Sequence, residues 1–368
     1  MKIAIATDAW HPQVNGVVRT LAATVAILES AGHDVEMITP DRFLTVPMPG
    51  YSAIRLALAP RFGLRRMLDS YRPDIVHIST EGPIGWAARS WCLARKVPFT
   101  TAFHTRFPDY AAVRTGINAE RFWPIMRRFH APSRAVLVAT ASLDAELRAR
   151  GFSNTRPWTR GIDHATFRAD GEDHPALRHL PRPILLNVGR VSAEKNLEAL
   201  LGMACVGTKV VVGDGPALEG LRQRFPEVVF TGPMFGEELA RAYRSADCFV
   251  FPSRTDTFGL VIIEALASGL PVAAYPVQGP IDLIGAEGRG SHGDLARPVG
   301  ALRDDLAEAV SRALSVAPAD AVAYAARFTW ENATDEFVAA LQWAAGGEAG
   351  DSAVDLSGVR SLPTVSAN

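Results

Sequence analysis

Short apolar runs alternate with longer stretches of helical periodicity along most of the chain. In the first half these runs predict five β-strands, at residues 2–7, 34–39, 74–78, 97–103 and 135–139. After the first strand, Val18, Leu21, Val25 and Leu28 recur at the spacing of one helix face, and Gly32 is placed to end that helix. Further helices are predicted near 61–70, 84–95, 118–130 and 142–150. Because strands separated by helices pair in parallel, this half predicts a doubly wound sheet with helices on both faces.

The alternation pauses where prolines and charges accumulate, between about 152 and 182, and then begins again. The second half predicts strands at 184–188, 209–212, 228–231, 248–251 and 271–274, and helices at 194–204, 216–224, 236–245, 260–268, 302–315 and 330–344. We therefore expect a first domain over 1–155, a link over 156–182 and a second doubly wound domain over 183–345, whose last helix can pack back on the first. Residues 346–368 are small, polar and aperiodic, which predicts a disordered tail.

Composition places the chain among globular proteins. A chain of 368 residues with 48% apolar and 21% charged residues is neither wholly disordered nor a collagen nor a small disulfide scaffold. Cys92, Cys205 and Cys248 lie in apolar stretches without CxxC spacing, so we expect buried, reduced thiols and a cytoplasmic location. Asp8 interrupts the start too early for a signal-peptide core, and the apolar window 260–277 contains a glutamate and two prolines, so we expect no membrane span.

The net charge of −1 conceals an asymmetry between the two halves. Residues 1–155 contain 19 Lys or Arg and 12 Asp or Glu, a net charge of +7, and the remainder carries −8. A basic half suits nucleic acid, an anionic membrane or a phosphorylated ligand, whereas the mild overall balance argues against a dedicated nucleic-acid binder. We expect no nucleic-acid partner.

Candidate chemistry lies in the loops after the predicted strands, where ligands of open α/β sheets bind. Asn15-Gly16 permits a tight turn at the first helix start, and Gly16, without a Cβ, lets the backbone approach a ligand phosphate. A structural turn explains this loop equally well, because its spacing is not GxGxxG. In the second half, Arg190 and Lys195 flank a predicted helix start, where cations and backbone N–H groups can hold a diphosphate. A solvated loop charge is the alternative for Lys195.

The densest cluster is residues 252–271, with the sequence PSRTDTFGLVIIEALASGLP. Asp256 precedes a predicted helix whose first turn contains Phe258, Gly259 and Leu260, so the backbone N–H groups there suit an anion. Glu264 lies two turns further along, inside an otherwise apolar stretch. A buried carboxylate is costly unless it is paired or hydrogen-bonded. The hydroxyls of a ribose would satisfy it, and an internal salt bridge is the alternative.

In combination these residues resemble the retaining glycosyltransferases of family four, which have the GT-B architecture. That family's acidic pair, spaced E-x7-E, is matched by Asp256 and Glu264, its basic pair by Arg190 and Lys195, and its glycine loop by Gly16; VGDGP at 212–216 is also typical. The resemblance implies an α/β fold of two Rossmann-like, doubly wound parallel-sheet domains that face a central cleft. It also implies that Phe258, Gly259 and Leu260 contribute to donor binding.

A closer resemblance is to sulfoquinovosyl-diacylglycerol synthases and GDP-mannose-dependent α-mannosyltransferases. It rests on HPQVNGVV at 11–18, FHTRFPDY at 103–110 and WTRGID at 158–163. By this resemblance His104 approaches the transferred sugar and the acceptor. His11 is an acceptor-side candidate for which a structural role is equally compatible. The chain departs from the family at Asp256, whose carboxylate reaches one methylene less far than the usual glutamate.

The reaction implied is transfer of a hexose from a nucleoside diphosphate, UDP or GDP, to an acceptor hydroxyl with retention of the anomeric configuration. Arg190, Lys195 and the helix N-terminus after Asp256 would stabilise the leaving diphosphate, so we expect neither a metal nor another cofactor. The departing phosphate oxygen would take the proton of the acceptor, by resemblance to the family. A nucleotide-sugar epimerase and an inactive nucleotide-sugar-binding scaffold are the competing interpretations. The motifs specify neither the base nor the sugar.

The expected acceptor is a membrane lipid such as diacylglycerol or a glycolipid head group. Two stretches, 61–72 and 121–130, mix basic with apolar residues, as helices at anionic membrane surfaces do. Arg65 and Arg66 in the first stretch, and Arg127 and Arg128 in the second, are the candidate membrane contacts. The enzyme would then lie peripherally on the inner face of the cytoplasmic membrane. Alternatively these helices simply cover the sheet, and the acceptor is soluble or a polysaccharide.

Overall fold

The computed structural model describes residues 1–346 except 14, 49–50, 105, 256–257 and 292, and it describes only the backbone of 51–54, 110 and 113–114. The chain divides into two compact units. Unit 1 contains Met1–Thr159 and the chain from Trp330 onward, and unit 2 is Arg160–Thr329. Residues 347–368, which hold nearly all of the predicted tail, lie outside the described residues.

Fourteen strands and fourteen α-helices are present in the described chain. The strands are β1 (Lys2–Ala6), β2 (Asp34–Ile38), β3 (Thr45–Met48), β4 (Tyr51–Ala57), β5 (Ile75–Ile78), β6 (Phe99–Ala102), β7 (Ala135–Val138), β8 (Thr155–Pro157), β9 (Ile184–Val188), β10 (Thr208–Val212), β11 (Val229–Gly232), β12 (Cys248–Phe251), β13 (Val272–Ala274) and β14 (Gly300–Leu302). The helices are α1 (Gly16–Ser30), α2 (Arg61–Tyr71), α3 (Pro83–Arg95), α4 (Phe107–Thr115), α5 (Trp123–His130), α6 (Ala141–Ala149), α7 (Leu197–Leu201), α8 (Leu218–Arg224), α9 (Gly236–Arg244), α10 (Leu260–Ala267), α11 (Gln278–Ile284), α12 (Leu306–Ala313), α13 (Pro318–Ala325) and α14 (Trp330–Gly346).

Unit 1 is built on a six-stranded parallel sheet in the order β2-β1-β5-β6-β7-β8. The apolar residues of these strands are buried, and Ile3 pairs with Val35 on one side and Ile75 on the other. An antiparallel hairpin, β3–β4, is inserted between β2 and α2. The final helix, α14, packs Phe337 and Leu341 into the core of this unit, against residues of β1 and α1. Its apolar face therefore completes the first sheet rather than the second.

Unit 2 has a second six-stranded parallel sheet, in the order β11-β10-β9-β12-β13-β14. Leu185, Val211 and Val250 lie at the centre of its core. In each sheet the chain runs first to one side of its first strand and then to the other. The reversal falls between β1 and β5 in unit 1 and between β9 and β12 in unit 2, and the loops that follow those strands frame the usual ligand crevice.

The predicted link over 156–182 is divided between the units. Thr155–Pro157 forms the edge strand β8 of the first sheet, and from Arg160 the chain belongs to unit 2. Phe167 and Leu177 are buried, and the Phe167 ring contacts Tyr243 with a centroid separation of 5.9 Å. The segment between β8 and β9 contains no named helix or strand, and its buried apolar residues anchor it to unit 2.

Several elements differ from those predicted. The hairpin β3–β4, the helices α4, α11 and α13, and the short edge strands β8 and β14 were not predicted, because each is brief or irregular in pattern. Cys92 and Cys248 are buried, and burial raises the pKa of both thiols. The expectation of burial is wrong for Cys205, which is exposed in the loop before β10. No helix within the described residues has the length and apolar composition needed to cross a bilayer.

Candidate active site

Two loops lie side by side at the reversal point of the second sheet, after β9 and after β12. The buried Asn187, near the end of β9, donates from Nδ2 to the Val250 carbonyl at 2.9 Å. Further along, Asn196 donates from Nδ2 to the Pro252 carbonyl at 3.1 Å. Arg190 is exposed and Lys195 half-buried on the first of these loops. The two loops that carry the predicted donor residues are therefore held together by side-chain amides.

The helix predicted over 194–204 is broken at its start. A short 3₁₀ turn, Ala193–Lys195, is followed by Asn196 in the left-handed conformation with φ of +53° and then by the five-residue α7. Asparagine tolerates this conformation better than most residues. Lys195 thus lies on a separate turn ahead of α7. The position of its side chain is determined by this loop and not by a long helix.

The VGDGP motif explains how closely the loops after β9 and β10 approach each other. A Cβ on Gly213, where φ is +147°, would lie 1.8 Å from the Gly189 carbonyl oxygen. The Val191 N–H donates to the Asp214 carbonyl at 2.9 Å. Glycine is needed at position 213 because backbone occupies the space of a side chain. The VGDGP motif therefore packs against the loop that carries Arg190 and holds it through backbone contacts.

The next loop leads into α10, which begins after Gly259 in the left-handed conformation with φ of +90°. Phe258 is buried just before it, and Leu260 is half-buried at its first position. Asp256, the first acid of the predicted pair, lies outside the described residues. Gly259 is the N-cap residue of α10, so within the described residues the helix start is shaped by a glycine in the left-handed conformation.

Glu264 occupies the buried side of α10, with a relative exposure of 1%. Its Oε2 accepts a hydrogen bond from the Tyr243 hydroxyl of α9 at 2.9 Å. Tyr243 was not among the predicted site residues. Its signal in the sequence is its place on the apolar face of α9, since a buried tyrosine hydroxyl needs a partner. The structure places Glu264 and Tyr243 together, and the Tyr243 hydroxyl also lies 3.4 Å from the Val261 carbonyl oxygen in the first turn of α10.

His104 lies at the carboxyl edge of the first sheet, in the loop after β6. It is half-buried, and its ring meets the buried Trp158 edge to face at a centroid separation of 5.3 Å. His11 is exposed in the loop after β1 and contacts the Trp10 ring. With Trp10, Asp41 and Arg55 it lines a cavity of about 280 Å³. Both histidines therefore lie on loops of unit 1, at the edge where parallel sheets bind ligands.

The turn at Asn15 and Gly16 starts α1 as predicted. The Asn15 side chain accepts hydrogen bonds from the backbone N–H groups of Val17 and Val18, each at 3.0 Å. Two donors of the helix N-terminus are thus already used by the cap. A part for Gly16 in phosphate binding stays a prediction, with its backbone exposed at the first helical position.

Asp8, which was not among the predicted site residues, also lies at this edge. Its carboxylate accepts hydrogen bonds from the backbone N–H groups of Ile84 and Gly85, at 2.9 and 3.2 Å, and from the Thr80 hydroxyl at 2.9 Å. Burial raises the pKa of this carboxyl above its ordinary value, and these hydrogen bonds oppose the rise. A Cβ at Gly82 would lie 2.4 Å from the Asp8 carboxyl carbon. Asp8 therefore caps α3 across the sheet edge and fixes the loop after β5.

The four candidate membrane arginines are all exposed, on α2 and α5. Arg65 pairs with Asp69 at 3.3 Å, and Arg127 donates to the Arg150 carbonyl at 3.4 Å. The apolar residues of both helices mostly face inward; those buried are Leu64, Leu68, Trp123, Met126 and Phe129. Phe62, by contrast, is 85% exposed at the first turn of α2. These helices cover the sheet, and one end of α2 also presents an aromatic ring to solvent.

Within the described residues, no three His, Cys, Asp or Glu side chains are grouped so that they could hold a metal ion.

Comparison with known proteins agrees with the fold and the motifs. The model of "Glycosyltransferase Family 4" matches residues 14–166, and that of "Glycosyl transferases group 1" matches residues 182–316. The chain is 31% identical to a GDP-mannose-dependent alpha-mannosyltransferase of Mycobacterium tuberculosis over 335 residues, 84% of this chain and 87% of the relative. It is 30% identical to the sulfoquinovosyl transferase SQD2 of Arabidopsis thaliana, over 77% of this chain and 61% of that protein.

A solved structure with the same fold is sucrose-phosphate synthase from Thermosynechococcus elongatus. It has a TM-score of 0.66 and 24% identity, and the match covers 93% of this chain and 95% of that one. The two parallel-sheet units are those of the GT-B architecture. From the family matches, the relatives and this fold together, the chain belongs to glycosyltransferase family 4 and is a hexosyltransferase.

Proposed function

We propose that this glycosyltransferase moves a hexose from UDP or GDP to a hydroxyl of a membrane lipid, with retention of the anomeric configuration. Binding of the nucleotide-sugar donor is supported by the two adjacent loops after β9 and β12. They bring Arg190 and Lys195 to the same reversal point as the start of α10. Two cations beside a helix N-terminus suit a diphosphate that gains charge as it leaves.

In this proposal the nucleotide lies on unit 2. The N-terminal backbone of α10, with Phe258, Gly259 and Leu260, faces the phosphates, and Glu264 accepts hydrogen bonds from the ribose. The Tyr243 hydroxyl holds one oxygen of Glu264 at 2.9 Å, which orients the carboxylate. By the family resemblance, Asp256 contacts the transferred sugar, and His104 acts on the side of the acceptor. Because Arg190 and Lys195 supply the positive charge, transfer proceeds without a metal ion.

Exposed apolar residues in unit 1 support a lipid acceptor. Leu44 is 82% exposed, and its carbonyl accepts a hydrogen bond from the Leu58 N–H at 2.8 Å, so the two residues are neighbours. We call the exposed side chains of Leu44, Val46, Leu58 and Phe62 the apolar corner. Exposed apolar residues that adjoin one another are typical of surfaces that contact a partner or a membrane.

Basic residues adjoin the apolar corner. Arg61, Arg65 and Arg66 are exposed on α2, beside Phe62. Apolar side chains flanked by arginine suit the boundary between anionic head groups and acyl chains. The corner therefore supports docking on an anionic membrane surface, where a lipid acceptor is available.

A panel of nucleotide sugars tests which donor the protein binds and how the sugar is transferred. We expect one UDP- or GDP-hexose to raise the melting temperature and to label a product in a lipid extract, because a ligand that binds the folded state stabilises it. The proton NMR spectrum of the product should give the same anomeric configuration as the donor, and EDTA should leave the rate unchanged. Inversion of the sugar, or loss of activity with EDTA, would contradict this mechanism.

The same panel separates the competing activities. Conversion of the donor to a second nucleotide sugar, or hydrolysis alone, would indicate an epimerase. Tight binding of a donor without turnover on any acceptor would indicate a scaffold. Transfer to a water-soluble sugar but to no lipid would replace the lipid acceptor with a soluble one.

Co-sedimentation with vesicles tests the membrane surface. The protein should bind vesicles of phosphatidylglycerol and phosphatidylcholine at low salt and be released by salt. Because each arginine near such a surface contributes about 1 kcal/mol, replacing Arg65 and Arg66 with Ser should weaken binding about 30-fold. Replacing Arg127 and Arg128 separately shows whether α5 contributes.

A matched control is the double variant Arg297→Ser and Arg312→Ser, which removes two exposed arginines of unit 2. It should bind vesicles like the wild type. Equal losses in the control and the Arg65 and Arg66 variant would mean that net charge, not this surface, determines binding.

A further inference from the structure

A fully buried histidine and a carboxylate meet beside the reversal point of the first sheet. His130, the last residue of α5, has its Nε2 3.2 Å from Oε1 of Glu81 and its Nδ1 2.9 Å from the Thr101 hydroxyl. Glu81 lies in the loop after β5, three residues beyond the end of that strand. None of the steps proposed above uses either residue.

The residues around His130 restrict its ring to one orientation. Its ring lies among Phe103, Phe129 and Phe152, with centroid separations of 5.8, 4.9 and 5.8 Å. A buried imidazole among aromatic rings is costly unless both nitrogens have hydrogen-bond partners. Thr101 and Glu81 are those partners. The ring therefore has one favourable orientation, and in it Nε2 is directed at the Glu81 carboxylate.

The backbone on both sides of Glu81 is fixed as well. The preceding residue, Thr80, accepts a hydrogen bond from the Asp8 N–H at 2.7 Å and donates to the Asp8 carboxylate at 2.9 Å. Beyond Glu81, the carboxylate of Asp8 accepts the N–H groups of Ile84 and Gly85. A Cβ on Gly85 would lie 1.9 Å from the Thr80 carbonyl oxygen, so α3 starts in close contact with this loop.

The Glu81 carboxylate is thus held in place and still reaches solvent. Its side chain is 13% exposed, and the hydrogen bond from His130 engages Oε1. For Oε2 the structure shows no hydrogen-bond partner among the described residues. The loop after β5 lies between the loops after β1 and β6, which carry His11 and His104. A carboxylate oxygen fixed at this edge is a strong acceptor for a ligand hydroxyl.

We propose that Glu81 binds a hydroxyl of the sugar acceptor and that His130 is the positioning residue that orients it. This inference rests on the proposed function, because it needs an acceptor with hydroxyl groups, such as glycerol or a sugar. Glu81 helps to determine which acceptor is used. His130 acts only through Glu81 and makes no contact with substrate.

The first test is the variant Glu81→Gln, assayed with dioctanoylglycerol and with methyl mannoside as acceptors. Glutamine keeps one oxygen for His130 and replaces the other with an amide that donates. The KM for the acceptor should rise about tenfold, while the KM for the donor and the affinity for the free nucleotide should not change. Glu120→Gln is the matched control, since Glu120 is an exposed glutamate of unit 1 paired with Arg150, and it should leave both KM values unchanged.

Two variants of His130 separate positioning from stability. The amide of glutamine extends to the place of Nε2, whereas that of asparagine reaches only the place of Nδ1. His130→Gln can therefore still donate to Glu81, and His130→Asn can contact only Thr101. Both should lower the melting temperature, but only His130→Asn should raise the acceptor KM, and combining it with Glu81→Gln should add no further increase.

An equal rise in acceptor KM for both His130 variants would mean that the residue serves stability alone. An unchanged acceptor KM in Glu81→Gln, with an active wild type, would overturn the inference and leave the proposed function intact. If instead the wild type transfers sugar to no hydroxyl acceptor, the proposed function itself fails. Should His130→Asn not fold, Glu81→Gln and its control decide the question.

Discussion

The two sheets share one fold, yet the loops at their carboxyl edges are held in place by different kinds of contact. In unit 2 the loops after β9 and β10 meet through the main chain, at Gly213 and between Val191 and Asp214, and the side-chain amides of Asn187 and Asn196 donate only to backbone carbonyls. In unit 1 the corresponding contacts are made by carboxylates, with Asp8 holding the start of α3 and Glu81 meeting His130. Backbone supports constrain a position almost regardless of its neighbours, whereas side-chain supports can be exchanged one residue at a time.

The two units also differ in how many large apolar side chains they expose. Among the described residues, eight large apolar side chains of unit 1 are exposed, against three in unit 2. Those of unit 1 include the apolar corner, which lies on strand β3, at the two ends of the β3–β4 hairpin and in the first turn of α2. Within the described residues, unit 2 has no such hairpin. This difference fits the proposed function, in which unit 2 binds the nucleotide and unit 1 the acceptor, because an exposed apolar surface suits a lipid.

The largest expected effect follows from removing the cations of unit 2. Arg190→Ala and Lys195→Ala should each lower turnover at saturating donor by about 10²-fold or more, because their charges matter most as the diphosphate leaves. Steady-state kinetics with a labelled donor measures the effect. Arg312→Ala, which removes an exposed arginine of the same unit, is the control. Wild-type turnover in either variant would make that residue a surface charge only.

The backbone support in unit 2 predicts a loss of stability. In Gly213→Ala the new Cβ would meet the Gly189 carbonyl at a left-handed φ, and the free energy of unfolding should fall by about 3 kcal/mol. Gly220→Ala is the matched control, since nothing lies within 4 Å of its Cβ position in α8. That change should raise the free energy of unfolding by about 0.5–1 kcal/mol. Urea denaturation measures both; equal effects would remove the argument from close approach.

Glu264 tests whether nucleotide binding belongs to unit 2. Glu264→Gln keeps the volume but loses a charge-assisted hydrogen bond to the ribose, so donor affinity should fall by about 1.5–3 kcal/mol while the fold survives. Tyr243→Phe removes the hydroxyl that holds the carboxylate and should cost about 0.5–1.5 kcal/mol of donor affinity. Calorimetry with the nucleotide measures both. Unchanged affinity in Glu264→Gln would make this glutamate a structural residue.

The sequence predicted unit 2 and its candidate donor loops more fully than the edge of unit 1. Regular alternation predicted ten of the strands, and glycines predicted the turns after β9 and β10, because both signals are local. The contacts of Asp8 with α3, of Glu81 with His130 and of Tyr243 with Glu264 join residues 21 to 77 positions apart. Such pairs depend on how the sheet is ordered, and no periodicity encodes them. The interruption of the predicted helix at Asn196 was not predicted for another reason. The Asn196 side chain donates a hydrogen bond to the Pro252 carbonyl, which lies in a different loop.

His104 gives the smallest expected effect and the most direct test of how the two units divide the work. The ring lies in unit 1, edge to face with the buried Trp158, so its removal leaves the nucleotide loops of unit 2 intact. His104→Ala should therefore lower transfer to the acceptor about tenfold, less than a lost catalytic acid or base would cost, and leave nucleotide affinity nearly unchanged. His33→Ala is the control, because His33 precedes β2 at the opposite edge of the same sheet. A comparable loss of nucleotide affinity in His104→Ala would contradict the division, since a residue of unit 1 would then contribute to binding assigned to unit 2.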